Sequence, residues 1–279
     1  MIPELEERLR RILEEIVGST AARKIVVAGP GTGKTTLFRR LLEHRDGPRD
    51  GRLVLTFINS LRAELEEALG ALARVFTFHG YCRRLLHSRA ELRAGLSEGF
   101  RYYPPLPALI EADWAAARGG QVPKFVGLMR RLESGAATAF SIERGDYYDA
   151  VSFDDSVFRV ERALREHANA IDVYETVLID EYQDFNAVEA ALLELIVARS
   201  PTVIAGDDDQ ALYSRLRSSS PPFIRTRYTG GAYERFALPF CMRCPEVIVR
   251  AVSDIVERAQ THGLLGGRIP KTLRSVPSA

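Results

Sequence analysis

Hydrophobic and polar positions in this chain of 279 residues alternate between two periods. Leu5, Leu9, Ile12, Leu13 and Ile16 recur at helical spacing with Glu and Arg between them, which predicts an amphipathic helix over 4–17. Short, nearly all-apolar runs follow at 25–28, 53–58, 74–78, 177–180, 202–205 and 235–238, each ending in a polar or glycine-bearing turn. Runs of that kind predict buried strands of a parallel sheet. Helical patterns at 34–44, 60–69, 80–88, 187–199 and 245–260 lie among them, the last with Pro245 in its first turn and Gly263 just beyond its end. Strand–helix alternation of this type gives an α/β fold with helices on both faces of the sheet.

The rhythm breaks between about 88 and 165. Pro104, Pro105, Pro107 and Pro123 and the pair Gly119-Gly120 interrupt helical pieces there, and no comparable strand run appears. The pattern predicts a small, mostly helical insertion over 89–164 that splits the α/β domain into segments 1–88 and 165–279.

Composition narrows the function classes. The chain is 46% hydrophobic and 27% charged with a net charge of +1, so contact with nucleic acid would need a local basic groove and not a global field. Three cysteines, Cys82, Cys241 and Cys244, are too few for a disulfide framework and point to a reducing compartment. Cys241 and Cys244 form a lone CxxC, two ligands short of a zinc or iron–sulfur site. With no apolar signal region and no membrane-length run, the expected location is the cytoplasm, with no membrane partner.

The sharpest chemistry sits at the first strand. Its end, Ala28, runs into Gly29, Pro30, Gly31, Thr32, Gly33, Lys34, Thr35 and Thr36 and then a helix. Glycines let backbone N–H groups close around phosphates, and a helix N-terminus adds positive potential. Lys34 would reach the β- and γ-phosphates and the Thr35 hydroxyl would ligate Mg²⁺, so ATP and Mg²⁺ are the expected ligands. The run at 177–180 ends in Asp180 and Glu181. Asp180 is placed to hold the Mg²⁺ and Glu181 to deprotonate an attacking water.

Further strings share a pattern. Asp180-Glu-Tyr-Gln-Asp184 and Gly206-Asp-Asp-Asp-Gln210-Ala-Leu-Tyr213 resemble motifs II and III of the UvrD/Rep-like superfamily 1 DNA helicases. Ala28 to Thr35 is similar to their motif I, Thr56-Phe-Ile-Asn59 to motif Ia, and Leu238-Pro-Phe-Cys-Met-Arg243 to motif IV, with Thr77-Phe-His79 as a further match. The resemblance implies a RecA-like P-loop NTPase domain of an ATP-dependent DNA helicase. It implies that Gln210 senses the γ-phosphate and holds water, and that Arg243 clamps transition-state charge. It implies a single-stranded DNA track of Thr56, Phe57, Asn59, Thr77, His79, Tyr213 and Arg215, in a stretch made basic by Arg217, Arg225 and Arg227.

Three departures stand beside it. No Gln precedes Ala28 to read adenine, Met242 stands where the family stacks a tyrosine on the base, and Arg215 replaces an aromatic. Motifs V and VI are also missing, so the sequence reads as the first motor domain, completed by a second domain or a protein partner that supplies an arginine. A standalone ATP-dependent switch acting with a protein partner is the alternative. A metabolic P-loop kinase would have no use for the Gln210 motif or for Thr77-Phe-His79.

Overall fold

The computed structural model describes residues 2–57, 59–210 and 222–276, except the side chains of 2, 3 and 59. In the first third of the chain, helix α1 (Ile2–Gly18) leads to β1 (Arg23–Ala28), α2 (Lys34–Glu43), β2 (Arg52–Thr56), α3 (Asn59–Leu69), β3 (Arg74–Thr77) and α4 (Phe78–Ser88). Short pieces follow: α5 (Ala90–Arg93), β4 (Arg101–Tyr102), α6 (Leu106–Arg118), α7 (Phe125–Arg130), α8 (Ala136–Tyr147) and β5 (Ala150–Val151). Then come α9 (Phe153–Glu166), β6 (Thr176–Ile179), α10 (Ala187–Val197), β7 (Thr202–Gly206) and β8 (Glu234–Leu238). A two-residue strand β9 (Phe240–Cys241) pairs with β10 (Arg274–Ser275), and helices Pro222–Thr229 and Glu246–Thr261 complete the described α-helices and strands.

The main sheet has the order β3-β2-β6-β7-β1-β8 and every pair in it is parallel. Successive strand residues point to opposite faces. Ile25, Val27, Leu53, Leu55, Val177 and Ile179 therefore pack on α4, α9 and α10 through residues such as Phe78, Phe158 and Leu192. Val26, Ala28, Val54, Leu178 and Val203 meet α1, α2 and α3 on the other face, against Ile16, Phe38 and Leu69. This is the α/β sheet with helices on both faces that the pattern predicted. Because all strands run one way, Ala28, Thr56, Thr77, Asp180 and Asp207 lie along one edge of the sheet.

Helices α6, α7 and α8 gather a small cluster of their own around Leu106, Ile110 and Phe125, with Trp114 and Phe140 packed edge-on at 5.0 Å. Helix α9 belongs to the sheet instead: Val157, Phe158, Val160 and Leu164 are buried in the main core. Buried Arg159 ties it to α8, donating to Asp146 at 2.6 Å and the Ile142 carbonyl at 2.8 Å, while its bond to Asp155 at 2.9 Å stays within α9.

Boundaries shift where capping decides them. The helix expected from 80 begins at Phe78, because Thr77 caps it and its Oγ1 accepts from the Gly80 N–H at 3.1 Å. Phe78 is thus a fully buried helical residue and not a strand end. The strand expected over 53–58 spans Arg52–Thr56. Helix Pro222–Thr229 and the β9–β10 pair were not anticipated.

Candidate nucleotide site

Between β1 and α2 the chain turns through Gly31 and Gly33, at φ of +67° and +87°. Side chains rarely adopt that region, so the loop requires glycine there. A Cβ on Gly31 would also collide with Cβ of Arg243 and stand 3.2 Å from its backbone N; on Gly33 it would lie 2.8 Å from Met242 Cε. The Met242 N–H donates to the Gly31 carbonyl at 2.9 Å, and Thr32 Oγ1 donates to the Gly29 carbonyl at 2.9 Å inside the loop. Gly33 caps α2 without a side-chain bond, so the helix points its first N–H groups into the loop. Thr35 and Thr36 are exposed on that first turn.

Lys34 reaches across to the end of β6, where its Nζ lies 3.0 Å from Glu181 Oε1 with the two side chains 13% and 16% exposed. Burial works to lower the Lys34 pKa, but Asp180, Glu181 and Asp207 outweigh it and the ammonium is held above its usual range. Asp180 is buried, and burial together with the neighbouring Glu181 charge pushes its carboxyl up to about 7 against the pull of Lys34. Glu181 itself sits at φ +52°, a left-handed conformation uncommon outside glycine, which turns its carboxylate out of the strand toward Lys34.

Buried Gln183 links the acids to the next strand. Its Nε2 donates to Glu181 Oε2 at 2.7 Å while its Oε1 accepts the Asp207 N–H at 3.0 Å. Gln210 Nε2 donates to Asp207 Oδ2 at 2.7 Å, so the predicted γ-phosphate sensor is joined to the acids through one polar chain. Arg243 is exposed beside Gly31, and Met242 is 45% exposed beside Gly33. Next to the loop lies a cavity of about 580 Å³ walled by Gly29, Pro30, Leu238, Val249, Val252 and Leu273.

Sequence reasoning missed one part of this site. The segment after Gly267 carries no recognisable motif, yet Lys271 Nζ contacts carboxylates of Asp207, Asp208 and Asp209, and Arg268 Nε donates to Asp209 at 2.9 Å. The sequence signal was a three-acid string facing an Arg-x-x-Lys about sixty residues away, a pairing with no local pattern to reveal it. Arg225 and Arg227, read as part of a basic DNA-facing stretch, are committed to carboxylates: Arg225 to Asp208 at 2.8 Å and Arg227 to Glu194.

The residues expected along a DNA track share the edge with the P-loop but stand apart from it. β3 lies four strands from β1, roughly 19 Å at the usual strand spacing. Thr56 is fully buried, and its hydroxyl has no hydrogen-bond partner among the described residues. Phe57 and Thr77 are also buried, so Phe57 presents little of its ring to a base in this conformation. His79 is partly buried, 3.8 Å from Glu189 and edge-on to Phe153 at 5.6 Å. Asn59 opens α3, and Tyr213, Arg215 and Arg217 lie outside the described residues. Cys241 and Cys244 are free thiols; among the described residues the acid string, and no cysteine, forms a cluster of three metal-type side chains. No described helix is long and apolar enough to cross a membrane.

A family model described as an AAA domain matches residues 13–215. The ATP-dependent DNA helicases PcrA of Staphylococcus epidermidis and of Staphylococcus aureus are each 23% identical to this chain over 241 residues. Each match covers 71% of this chain and 33% of the relative, so the chain spans about a third of those proteins' length. Among solved structures, VirB4 of Thermoanaerobacter pseudethanolicus overlaps 93% of this chain and 90% of its own at 12% identity, with a TM-score of 0.32.

Proposed function

The chain belongs to the AAA-domain family, and from that premise we propose that it is the ATP-binding motor domain of a UvrD/Rep-like DNA helicase or translocase. The observation that carries this reading is the Lys34–Glu181 pair. It joins a glycine loop at a helix N-terminus to acids at the end of a second strand. The residues present fit a magnesium–nucleoside triphosphate: the left-handed Gly31 and Gly33 give a glycine loop at the N-terminus of α2 with Arg243 packed beside it, and Asp180 is a buried carboxylate facing one ammonium.

Lys34 and the first N–H groups of α2 bind the phosphates, and Thr35 with Asp180 would hold Mg²⁺. When bound, the ion neutralises charge between the phosphates. Phosphate draws Lys34 away from Glu181, which frees that carboxylate to accept the proton of an attacking water. Gln210 orients the water, and the bond from the γ-phosphorus to the ADP oxygen breaks as the water oxygen adds. Arg243, beside the loop, supplies positive charge on the outer side.

Single-stranded DNA is proposed to lie along the β2–β3 end of the same edge, contacted by Asn59, His79, Tyr213 and Arg215, with buried Thr56, Phe57 and Thr77 shaping the edge beneath it. The insertion, 89–164, and segments 1–88 and 165–279 are proposed as the domain division, with α9 seating the insertion on the sheet. A second motor domain or protein partner would supply the remaining arginine, worth about 10³–10⁵ in rate. Helix Glu246–Thr261 exposes Val247, Ile248, Val252 and Ile255, an apolar face for that second domain, which the greater length of the relatives would provide.

The test is steady-state ATPase with and without single-stranded DNA, alongside strand separation on a tailed duplex. The 279-residue chain is expected to hydrolyse ATP slowly, respond weakly to DNA and not unwind. Fluorescence anisotropy at low salt should show weak binding of a labelled oligonucleotide, with a slope of about 0.7 log units per phosphate contact. Robust unwinding would overturn the need for a second domain, and no oligonucleotide binding would overturn the DNA track.

A further inference from the structure

Strand β7 ends in three consecutive carboxylates, Asp207, Asp208 and Asp209, whose oxygens come within 4.8 Å of one another. Like charges so close need counter-charge, and the chain brings three cations to them. Arg225 Nε donates to Asp208 at 2.8 Å, Arg268 Nε to Asp209 at 2.9 Å, and Lys271 Nζ contacts all three carboxylates. The Ile269 N–H adds a bond to Asp208 at 3.0 Å. The acid string is therefore an ionic latch filled by the chain's own cations.

Asp207 is the consequential member. One of its oxygens takes Lys271 and the Asp209 N–H at 3.1 Å, while the other accepts from Gln210 Nε2 at 2.7 Å. An ionised carboxylate only accepts, so it fixes which end of the Gln210 carboxamide faces it. One N–H of the NH₂ turns to Asp207, which leaves the second N–H to donate to a phosphate oxygen and the carbonyl oxygen to accept from water. The Lys271 side chain is 11% exposed and that of Asp207 5%, so solvent does little to loosen the arrangement.

We infer that Lys271 is a positioning residue for nucleotide recognition, holding the Gln210 carboxamide in its γ-phosphate-reading orientation through Asp207. The inference rests on the proposed role of Gln210. It also gives the C-terminal segment a task. Lys271 lies between helix Glu246–Thr261 and β10, and Leu273 comes within 3.4 Å of where a Cβ on Gly29 would stand. A shift of that helix would therefore reach both the P-loop and Gln210.

The experiment is calorimetric titration of the 279-residue chain with Mg·ADP and with a non-hydrolysable Mg·ATP analogue. Lys271→Met should lower the ratio of analogue to ADP affinity about tenfold, the scale of one charge-assisted hydrogen bond, with ADP affinity unchanged. Lys271→Arg should restore the ratio. In a Gln210→Ala background Lys271→Met should change nothing further, which a purely structural role would not produce. If Lys271→Met does not fold, Lys271→Gln carries the same expectation. An unchanged ratio, equal weakening of both nucleotides, or additivity with Gln210→Ala overturns the inference while leaving nucleotide binding intact. Absence of binding by the wild type overturns the reading beneath it, and the inference with it.

Discussion

Replacing Glu181 by Gln removes one charge from the centre of the site and little else. Lys34 Nζ stands 3.0 Å from Glu181 Oε1, and the two side chains are 13% and 16% exposed. At an effective dielectric of about 20, that separation corresponds to roughly 5.5 kcal/mol of gross attraction. Desolvation and the ordering of two side chains offset most of it, leaving about 1–2 kcal/mol net. Phosphate has to take Lys34 from this partner, so the ion pair is a cost of binding. Glu181→Gln should therefore tighten Mg·ATP binding by about 5–30-fold. Gln183 Nε2 keeps an acceptor in the new side chain, and the left-handed backbone at φ +52° is equally uncommon for Gln, so the fold should hold. Hydrolysis should fall by about 10²-fold or more, because the proton acceptor is gone. Calorimetry for affinity and a single-turnover assay for chemistry read the two effects separately. Weaker binding would show that Glu181 does not restrain Lys34, and undiminished turnover would show that the base lies elsewhere.

Three other perturbations follow the same geometry. Gly31→Ala places a side chain at φ +67° against Arg243, so it should cost about 1–2 kcal/mol in urea denaturation and weaken nucleotide binding; unchanged affinity would mean that Arg243 does not sit at the phosphates. Burial works to raise the Asp208 carboxyl, but Lys271, the Ile269 N–H and Arg225 hold it below its usual range, with Asp207, Asp209 and Arg268 as the other charges in the latch. Its contribution to stability is thus present above about pH 4 and lost as pH falls through the lower folded value, so Asp208→Asn should flatten the acid limb of a urea-midpoint profile. Phe158→Ala empties a fully buried position in the sheet core and should cost about 3–5 kcal/mol by denaturant titration.

The sheet was legible because its signals are local. Buried parallel strands such as β1 and β6 are continuous apolar runs, and the glycine loop and Asp180-Glu181 follow them directly in sequence. Family resemblance added Gln210 and Arg243, which the structure joins to the loop through Asp207 and Gly31 respectively. What escaped the sequence depends on distance along the chain. Lys271 meets Asp207 across 64 residues, and no periodicity marks the pairing. Arg225 and Arg227 looked like free cations because their carboxylates, Asp208 and Glu194, belong to other elements. Phe57 and Phe78 sat at strand ends where a surface and a core role look alike. Burial decides for the core at both, and at Phe78 a threonine cap makes the residue helical.

Mg·ATP is proposed to bind at the loop where Lys34 meets Glu181. Equilibrium titration of the wild-type chain and of Lys34→Ala with Mg·ATP tests it most directly, with a thermal melt to confirm that both are folded. Lys34 is the only cationic side chain in the segment from Gly29 to Thr36, so its loss leaves the phosphates without their counter-charge there. The wild type should bind and the variant should show no measurable heat while melting as a folded protein. Equal binding by a folded Lys34→Ala, or no binding by the wild type, would contradict the account.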